Sequence, residues 1–231
     1  MKAILLAGGL GTRLRPLTNS VPKCLVTVNH VPLLEFWLKN LENAGISNFL
    51  INTHYLPDQV EAFIEKSRFK SKVITVHEDM LLGTAGTLKA NLDFFENQDG
   101  MLLHADNYCM ANLDDFKKAH LNRPRNCLVT MMTFITNNPS DCGIVECDES
   151  GVVIKFHEKV KTPPGNIANA AIYILSKEFI EQYRGCFSNA TDFSIDVIPN
   201  LMGKIFTHQT AKILLDIGTP ENYRLANKLA T

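Results

Sequence analysis

A glycine-rich segment near the amino end combines groups that bind phosphate. Gly8, Gly9 and Gly11 lie close together, and the absence of side chains lets backbone N–H groups approach an anion. Arg13 and Lys23 add positive charge to the same segment. Backbone N–H groups and cations in one loop favour a polyphosphate ligand.

The pattern around this loop narrows the kind of phosphate site. The apolar run 3–6 predicts a buried strand, which places the glycines at the carboxyl end of a strand. A dinucleotide fingerprint would need a third glycine where Leu14 stands, and a Walker loop would need Ser or Thr where Ile205 follows Gly203 and Lys204. Neither common phosphate loop fits, and a glycine turn with solvated basic residues stays open as the simpler interpretation.

Two acidic residues stand where a carboxylate is costly without a partner. Asp106 follows the hydrophobic run 101–104, at the strand end where a parallel sheet builds its ligand crevice. Asp216 lies inside an apolar run just before a helix. An ionised carboxylate in such surroundings requires an ion-pair partner or a bound cation. Both are metal candidates, and a helix cap or a salt bridge is the alternative for each.

The first part of the chain alternates short apolar runs with helical patterns. Leu34, Trp37, Leu38 and Leu41 follow the i, i+3, i+4, i+7 spacing of one helix face, which predicts core packing for Trp37. Strands are predicted at 48–52, 73–76 and 101–104, and further helices at 57–66 and 85–95. Strand and helix alternation predicts right-handed crossovers and a mostly parallel sheet.

The pattern changes after residue 125. Strands over 128–134, 143–146, 152–156 and 169–175, with a turn over 148–151, predict an antiparallel region. Helices are predicted over 192–202 and 219–230, the second with Thr219 as its N-terminal cap. We therefore predict an α/β fold, a mostly parallel Rossmann-like three-layer sheet with a small antiparallel subregion. It would form one domain over 1–231, with two halves that divide at about residue 125.

Charge and hydropathy exclude several classes of partner. The 231 residues contain 23 Lys and Arg against 24 Asp and Glu, so no global field attracts nucleic acid or an anionic membrane. No apolar run reaches the length of about 18 residues that spans a bilayer, and no leader pattern precedes the first strand. We expect no nucleic-acid or membrane partner and a cytoplasmic location. A homo-oligomer is compatible with these features.

The motifs resemble those of the sugar-1-phosphate nucleotidyltransferases. The run from Leu6 to Arg13, with Lys23 after a proline, is similar to that family's Gly-Gly-x-Gly-Thr-Arg…Pro-Lys signature. Asp106 is similar to the strand-end Asp of its Gly-Asp pair, and Asp216 to the Asp of its Asp-Ile-Gly-Thr-Pro segment. The resemblance runs in family order along nearly the whole chain. The chain ends soon after the last motif, so we expect a short single-domain form without a β-helix extension.

The resemblance implies a nucleotide-binding half over about 1–125, a sugar-phosphate-binding half over about 126–231 with the antiparallel subregion binding the acceptor, and a role for each matched residue. Arg13, Lys23 and Asp106 would be catalytic, and Asp106 and Asp216 would hold Mg²⁺. The acceptor side would be Gly143, Glu158, Lys159 and Asn169, with Lys159 on the sugar phosphate and Asn169 on sugar hydroxyls. Nucleotide binding would fall to Leu6, Ala7, Gly8, Gly9, Gly11, Thr12, Arg13 and Lys23, with Gly83 and Thr84 of a Leu-Gly-Thr-Ala-Gly loop near the nucleoside.

The implied reaction transfers a nucleotidyl group from a nucleoside triphosphate to a sugar 1-phosphate, for polysaccharide precursors. The loop form favours GTP, with a hexose or heptose 1-phosphate as acceptor. His104 and Ala105, Val160 and Ala171 depart from the family pattern near the acceptor, which puts the identity of the sugar in question. Two alternatives stay open: a cytidylyltransferase acting on phosphocholine or another phosphorylated alcohol, and a catalytically silent homologue that senses nucleotides.

Overall fold

The structure is a computed structural model that describes residues 1–230. Its strands are β1 (Lys2–Leu6), β2 (Thr27–Val28), β3 (Val31–Pro32), β4 (Phe49–Thr53), β5 (Val73–His77), β6 (Gly100–His104), β7 (Asn107–Cys109), β8 (Val129–Ile135), β9 (Gly143–Cys147), β10 (Val153–Glu158), β11 (Ile167–Leu175), β12 (Ile205–Gln209) and β13 (Leu214–Asp216). Its α-helices are α1 (Leu33–Asn43), α2 (Pro57–Lys66), α3 (Gly83–Ala90), α4 (Leu113–Leu121), α5 (Lys177–Cys186) and α6 (Pro220–Leu229).

The chain divides into two compact units, each built from separate segments. The first unit contains Lys2–Leu81, Leu103–Met110 and 213–230. The second unit contains Leu82–Leu102 and Ala111–Lys212. None of the boundaries between these two units falls at residue 125. That one half of the chain binds the nucleotide and the other half the sugar phosphate stays a prediction.

The first unit is built on parallel strands. β1 pairs with β4 in parallel, and β4 pairs with β5 in parallel. Ala105, the residue after β6, donates its N–H to the carbonyl of Leu6 at 3.0 Å, so β6 ends beside the end of β1. The carboxyl ends of these strands are where the glycine loop and Asp106 begin.

The helices of the first unit follow the predicted periodicity. α1 buries Leu34, Trp37, Leu38 and Leu41 completely, which confirms the core position of Trp37. α6 begins after Thr219, whose hydroxyl accepts the N–H of Asn222 at 3.2 Å, as predicted for its cap. In the described part of the chain, no helix is long and apolar enough to cross a membrane.

The second unit contains the antiparallel region. β11 pairs antiparallel with both β8 and β9, and β9 pairs antiparallel with β10. β12 adds one parallel pairing to β8. The predicted α/β fold, with parallel strands and an antiparallel part after residue 125, is confirmed.

Two predicted helices are shorter than their apolar pattern suggested. α3 stops at Ala90, because the side chain of Asn91 donates to the carbonyl of Thr87 at 2.8 Å and replaces a helical bond. Residues Phe193–Val197 form a π-helical turn, and Ile198–Leu201 form a 3₁₀ turn. Pro199 has no N–H to continue a regular helix. Continuous helices over 85–95 and 192–202 were therefore wrong predictions.

β11 contains a bulge, and its central residue has a backbone conformation whose effect on stability can be measured. Its pairing with β8 shifts register between Asn169 and Tyr173, and Ala171 has a φ of 54°. This left-handed conformation costs a residue with a Cβ about 1–2 kcal/mol. The Asn169 side chain accepts the Ala171 N–H at 2.9 Å, which holds the bulge in place.

Replacing Ala171 with glycine is expected to raise the free energy of unfolding by about 0.5–1 kcal/mol. Glycine removes the left-handed strain, and its greater loss of backbone entropy offsets part of that gain. Urea denaturation would measure the change. The control is Ala170→Gly in the same strand, where no left-handed strain is relieved and stability should fall through the entropy loss and the loss of a buried methyl group. Equal destabilisation by both variants would contradict the interpretation of the bulge.

Candidate active site

The glycine loop follows β1 directly, and its shape depends on glycine at a position where a side chain would clash. Gly11 has a φ of 62°, and a Cβ there would lie 3.0 Å from the side chain of Thr18. The Thr18 hydroxyl donates to the carbonyl of Gly11 at 2.7 Å and closes the loop. Leu6, Ala7 and Gly8 are buried, Gly11 is partly exposed, and Gly9 and Thr12 are exposed, so the loop presents backbone to a ligand mainly from Gly9 to Thr12.

Sequence reasoning missed a buried polar pair that supports the start of this loop. The Asn52 side chain accepts the N–H of Ala7 at 2.7 Å and donates to the carboxylate of Glu78 at 3.1 Å. Both side chains belong to residues only 4% exposed. The N–H of Ala7 is therefore already engaged in a hydrogen bond with Asn52. The sequence carries only a weak sign of this pair, because Asn52 is a polar residue in a run that is otherwise typical of a buried strand.

Lys23 connects the two candidate carboxylates. Its Nζ lies 2.8 Å from Oδ2 of Asp106 and 3.0 Å from Oδ1 of Asp216. The Lys23 side chain is only 7% exposed, so the charge would be costly without these partners. A Cβ on Gly9 would lie 4.0 Å from the same Asp106 carboxylate, which places the glycine loop next to the ion pairs. The structure therefore gathers residues from three distant segments.

The pKa shifts of Lys23 and Asp106 favour their charged forms. Burial by itself lowers the pKa of Lys23, but the carboxylates of Asp106 and Asp216 more than offset it, and the pKa lies above its usual value. Burial raises the pKa of Asp106, while Lys23 and His104 lower it by more, so that pKa lies below its usual range. A salt-bridge role, left open for both acids from the sequence, is thus present.

Arg13 shares one of these carboxylates at the surface. A guanidinium nitrogen of Arg13 lies 3.2 Å from Oδ2 of Asp216, and the Arg13 side chain is 69% exposed. Gly218 allows this arrangement, because a Cβ there would lie 2.8 Å from the Asp216 carboxylate and 2.9 Å from the Arg13 guanidinium. The exposed guanidinium has room to turn toward an anion.

A hydrophobic cluster and a short strand pair hold these segments together. The cluster contains residues next to the charged groups, and its buried members are Leu14, Val26, Val28, Leu33, Tyr108, Ile217 and Ala226. β13 pairs antiparallel with β7 and sets Asp216 opposite Asn107, the residue after Asp106. The indole N–H of Trp37 donates to the carbonyl of Asn107 at 2.7 Å. Packing therefore fixes the backbone on each side of the ion pairs.

The second unit contains the other predicted site residues. Gly143 pairs with Glu158 across β9 and β10, and a Cβ on Gly143 would lie 2.5 Å from the Phe156 ring and 2.6 Å from the Glu158 carboxylate. Close packing across the strand pair is thus one reason for glycine at 143. Lys159 follows with a φ of 47°, and its ammonium lies 3.4 Å from the Glu158 carboxylate.

Asn169 and the loop of Gly83 and Thr84 also lie in this unit. The Asn169 amide donates to the hydroxyl of Tyr173 at 2.7 Å, in addition to holding the β11 bulge. Gly83 is exposed with a φ of 75°, and Thr84 stands in the first turn of α3. The ligand roles of these residues stay predictions. A cavity of about 680 Å³ beside α5, between Phe187 and Lys204, contains none of the predicted site residues in its lining.

The two carboxylates fit the chemistry of a hard cation. Mg²⁺ takes oxygen ligands and usually binds one or two carboxylates together with substrate phosphates. Asp106 and Asp216 converge on one ammonium, and their side chains are 22% and 47% exposed. The described residues hold no cluster of three or more His, Cys, Asp or Glu that could bind a metal alone. The donor set thus suits an ion that substrate phosphates help to bind.

Comparison with known proteins relates the chain to one family. The family model described as Nucleotidyl transferase matches residues 2–231. A putative mannose-1-phosphate guanyltransferase of Sulfolobus acidocaldarius is 29% identical over 98% of this chain and 62% of its own length. The mannose-1-phosphate guanylyltransferase of Mycobacterium tuberculosis is 31% identical over 96% of this chain and 62% of its own length. A probable mannose-1-phosphate guanylyltransferase 3 of Oryza sativa subsp. japonica is 32% identical over 100% of this chain and 68% of its own length. The chain thus spans less than two thirds of the first two relatives.

Two solved structures share the fold. A putative glucose-1-phosphate thymidylyltransferase from Bacillus anthracis, solved in complex with a sucrose, superimposes with a TM-score of 0.86 at 22% identity, over 100% of this chain and 95% of that one. HddC from Yersinia pseudotuberculosis, solved in complex with GMP-PN, superimposes with a TM-score of 0.82 at 26% identity, over 100% of this chain and 99% of that one.

Proposed function

We propose that this chain, which belongs to the nucleotidyl transferase family, transfers a nucleotidyl group from a nucleoside triphosphate to a sugar 1-phosphate. The observation that carries the proposal is the Lys23 ammonium, held by Asp106 and Asp216 beside the glycine loop. We propose GTP as donor and a hexose or heptose 1-phosphate as acceptor. The names of the guanylyltransferase relatives, which specify mannose 1-phosphate, support this choice.

The reaction needs charge neutralisation more than proton transfer. A phosphate monoester carries a charge of about −1.5 to −2 at pH 7, so the sugar phosphate is already a nucleophile. One of its oxygens bonds to the α-phosphorus, and the bond from the α-phosphorus to the bridging oxygen of pyrophosphate breaks. Repulsion between two polyanions opposes this approach. Fixed cations and N–H dipoles in an in-line geometry lower the barrier.

The first unit would supply groups for the triphosphate. The backbone N–H groups of Gly8, Gly9 and Gly11 would bind phosphate oxygens, and Gly9 is the exposed member of the three. Arg13 would neutralise the β- and γ-phosphates and the departing pyrophosphate, since its guanidinium is exposed. Lys23 would stabilise charge on the α-phosphate, and its two carboxylate partners hold it in place before substrate binds.

The second unit would supply groups for the acceptor and the nucleoside. The Lys159 side chain is 65% exposed, and its ammonium would bind the phosphate of the sugar. Asn169 would contact sugar hydroxyls with the hydrogen-bonding capacity that Tyr173 and Ala171 leave. Gly143 and Glu158 would border the sugar, and Gly83 and Thr84 would border the nucleoside. These roles follow from the family resemblance of the motifs.

Asp106 and Asp216 would also hold Mg²⁺. The ion would neutralise phosphate charge that the protein's own cations leave. The convergence of both carboxylates on one cation and their partial exposure support this proposal. In the absence of the ion, Lys23 keeps the two carboxylates from repelling each other.

Replacing Asp106 with asparagine is expected to weaken divalent-ion binding at least about tenfold, because one of two anionic oxygen ligands is lost. Titration of the chain with Mn²⁺, followed by electron paramagnetic resonance, measures this without turnover. The control is Asp58→Asn, which removes an exposed carboxylate in the first turn of α2. Equal Mn²⁺ affinity in Asp106→Asn and in the unchanged chain would sink the metal assignment.

A crossed assay tests the proposed function. GTP, ATP, CTP and UTP would each be combined with glucose, mannose and heptose 1-phosphates and with phosphocholine, and pyrophosphate release would be measured. Release with GTP and a sugar 1-phosphate is the expected result. Release only with CTP and phosphocholine would establish the cytidylyltransferase alternative. Nucleotide binding without release in any combination would indicate a silent nucleotide-sensing homologue.

A further inference from the structure

A short segment of the second unit is hydrogen-bonded to the proposed nucleoside loop. We call residues 191–196 the support turn. The carbonyl of Thr191 accepts the N–H of Ala85 at 3.0 Å, and the Thr84 hydroxyl accepts the N–H of Phe193 at 2.7 Å. The buried Tyr183 hydroxyl donates to the carbonyl of Ala85 at 3.1 Å. The first turn of α3 therefore takes its position from bonds to a segment far along the chain.

The contact between the support turn and Gly83 is very close. A Cβ on Gly83 would lie 2.3 Å from the carbonyl oxygen of Thr191, a separation that no side chain tolerates. Gly83 also has a φ of 75°, which glycine adopts without strain. The path of the loop at Gly83 is thus set by where the support turn places the Thr191 carbonyl.

Asp196 holds the support turn in this position. Its Oδ2 accepts the N–H of Thr191 at 2.8 Å, the hydroxyl of Thr191 at 3.2 Å and the N–H of Asp192 at 2.8 Å. The N–H groups of Asp192 and Thr191 lower the pKa of Asp196, so the carboxylate is ionised. Hydrogen bonds to an ionised group are stronger than neutral ones.

The backbone geometry of the turn needs such support. Residues Phe193–Val197 are π-helical, a rare conformation that often occurs near functional sites. Asp192 caps it by accepting the N–H groups of Ser194 and Ile195 at 2.8 and 3.0 Å. Without Asp196, Thr191 would keep only its bond to Ala85 among these contacts. The Asp196 carboxylate therefore holds in place the segment that positions the Thr191 carbonyl against the loop.

We infer that Asp196 is a positioning residue for nucleotide binding, acting through the Thr191 carbonyl and the Phe193 N–H on Gly83, Thr84 and Ala85. The inference rests on the proposed role of Gly83 and Thr84 in nucleoside binding. Asp196 itself touches no substrate in this account. Its contribution is a loop that is already in its binding conformation before the nucleotide arrives.

Replacing Asp196 with alanine is expected to raise the Kd for α,β-methylene GTP at least about tenfold, since small displacements of binding groups have large effects. Isothermal titration calorimetry measures this with an analogue that is inert at the bond that breaks. In the pyrophosphate assay, KM for the triphosphate should rise while kcat stays within about threefold. Asp196→Asn, which keeps the shape and an acceptor oxygen, should lie between alanine and the unchanged chain.

Asp148 provides a matched control in the same unit. Its Oδ1 also accepts two backbone N–H groups, from Ser150 at 2.9 Å and Val152 at 2.9 Å, and one hydroxyl, from Ser150 at 2.7 Å. Asp148→Ala removes the same number of bonds from the turn between β9 and β10, whose residues Gly151 and Val152 pair with β12. Its nucleotide affinity should stay within about twofold of the unchanged chain.

Amide hydrogen exchange separates this inference from the proposed function, because it needs no ligand. The Ala85 amide should exchange faster in Asp196→Ala than in Asp148→Ala, since its acceptor on Thr191 has lost its support. If the unchanged chain binds none of the four triphosphates, the proposed function fails and the exchange result still decides whether Asp196 positions the loop. Unchanged exchange at Ala85, or unchanged nucleotide affinity in folded Asp196→Ala, overturns the inference.

Discussion

Replacing Lys23 with alanine is expected to reduce pyrophosphate release at least about a hundredfold. Loss of one preorganised charge at a developing anion costs about 2.7–4 kcal/mol of barrier, which corresponds to that factor or more. Lys23 fits this role because its ammonium is fixed by Asp106 and Asp216 in the absence of substrate. Turnover at saturating triphosphate and sugar phosphate measures the effect.

The same change should also lower stability, because it leaves two carboxylates facing each other. Breaking a fully buried ion pair costs about 3–5 kcal/mol, and partial exposure of Asp106 and Asp216 makes the cost smaller here. Lys23→Met keeps the aliphatic stem and separates loss of charge from loss of packing. Lys39→Ala removes an exposed lysine paired with Glu35 and should leave activity unchanged. Near-normal pyrophosphate release by folded Lys23→Met would remove the assignment.

Replacing Arg13 with alanine should reduce turnover by a similar factor without affecting stability. The guanidinium would neutralise the departing pyrophosphate, and its loss again costs about 2.7–4 kcal/mol of barrier. Its pair with Asp216 is exposed, and exposed pairs contribute about 0–1 kcal/mol to stability. Activity should thus fall in both Arg13→Ala and Lys23→Ala. The free energy of unfolding, measured in urea, should fall only in Lys23→Ala.

Arg68 offers the matched control for Arg13. It is an exposed arginine of the first unit that pairs with the carboxylate of Glu42. Arg68→Ala should keep turnover near that of the unchanged chain. If Arg13→Ala loses no more activity than Arg68→Ala, the guanidinium has no part in the chemistry.

The sequence predicted those elements whose pattern is local. The i, i+3, i+4 stripe placed Trp37 in the core, and Thr219 was correctly identified as a helix cap. The strand ends were located because apolar runs stop where the glycine loop and Asp106 begin. Each of these signals lies within a few residues of the feature that it predicts.

Other features depend on partners far away in the chain. The sequence indicated that Asp106 and Asp216 need a cation, but Lys23 is separated from them by 83 and 193 positions. Asn52 meets Ala7 across 45 positions in the same way. The left-handed Ala171 lies in a strand that pairs with β8, and the π-helical turn bonds to Thr84 over 109 positions, so long-range contacts accompany the local bonds that hold both conformations. No spacing rule contains that information.

The hydrogen bond from Trp37 to Asn107 gives the molecule a built-in optical probe. Trp37 is the only tryptophan of the chain, it is fully buried, and its indole N–H contacts the residue next to Asp106. Fluorescence emission therefore reports on one place, with no solvent-exposed indole to mask it. A ligand that shifts the backbone at Asp106 changes the field at that indole, so titrations with metal ions or nucleotides need no attached dye.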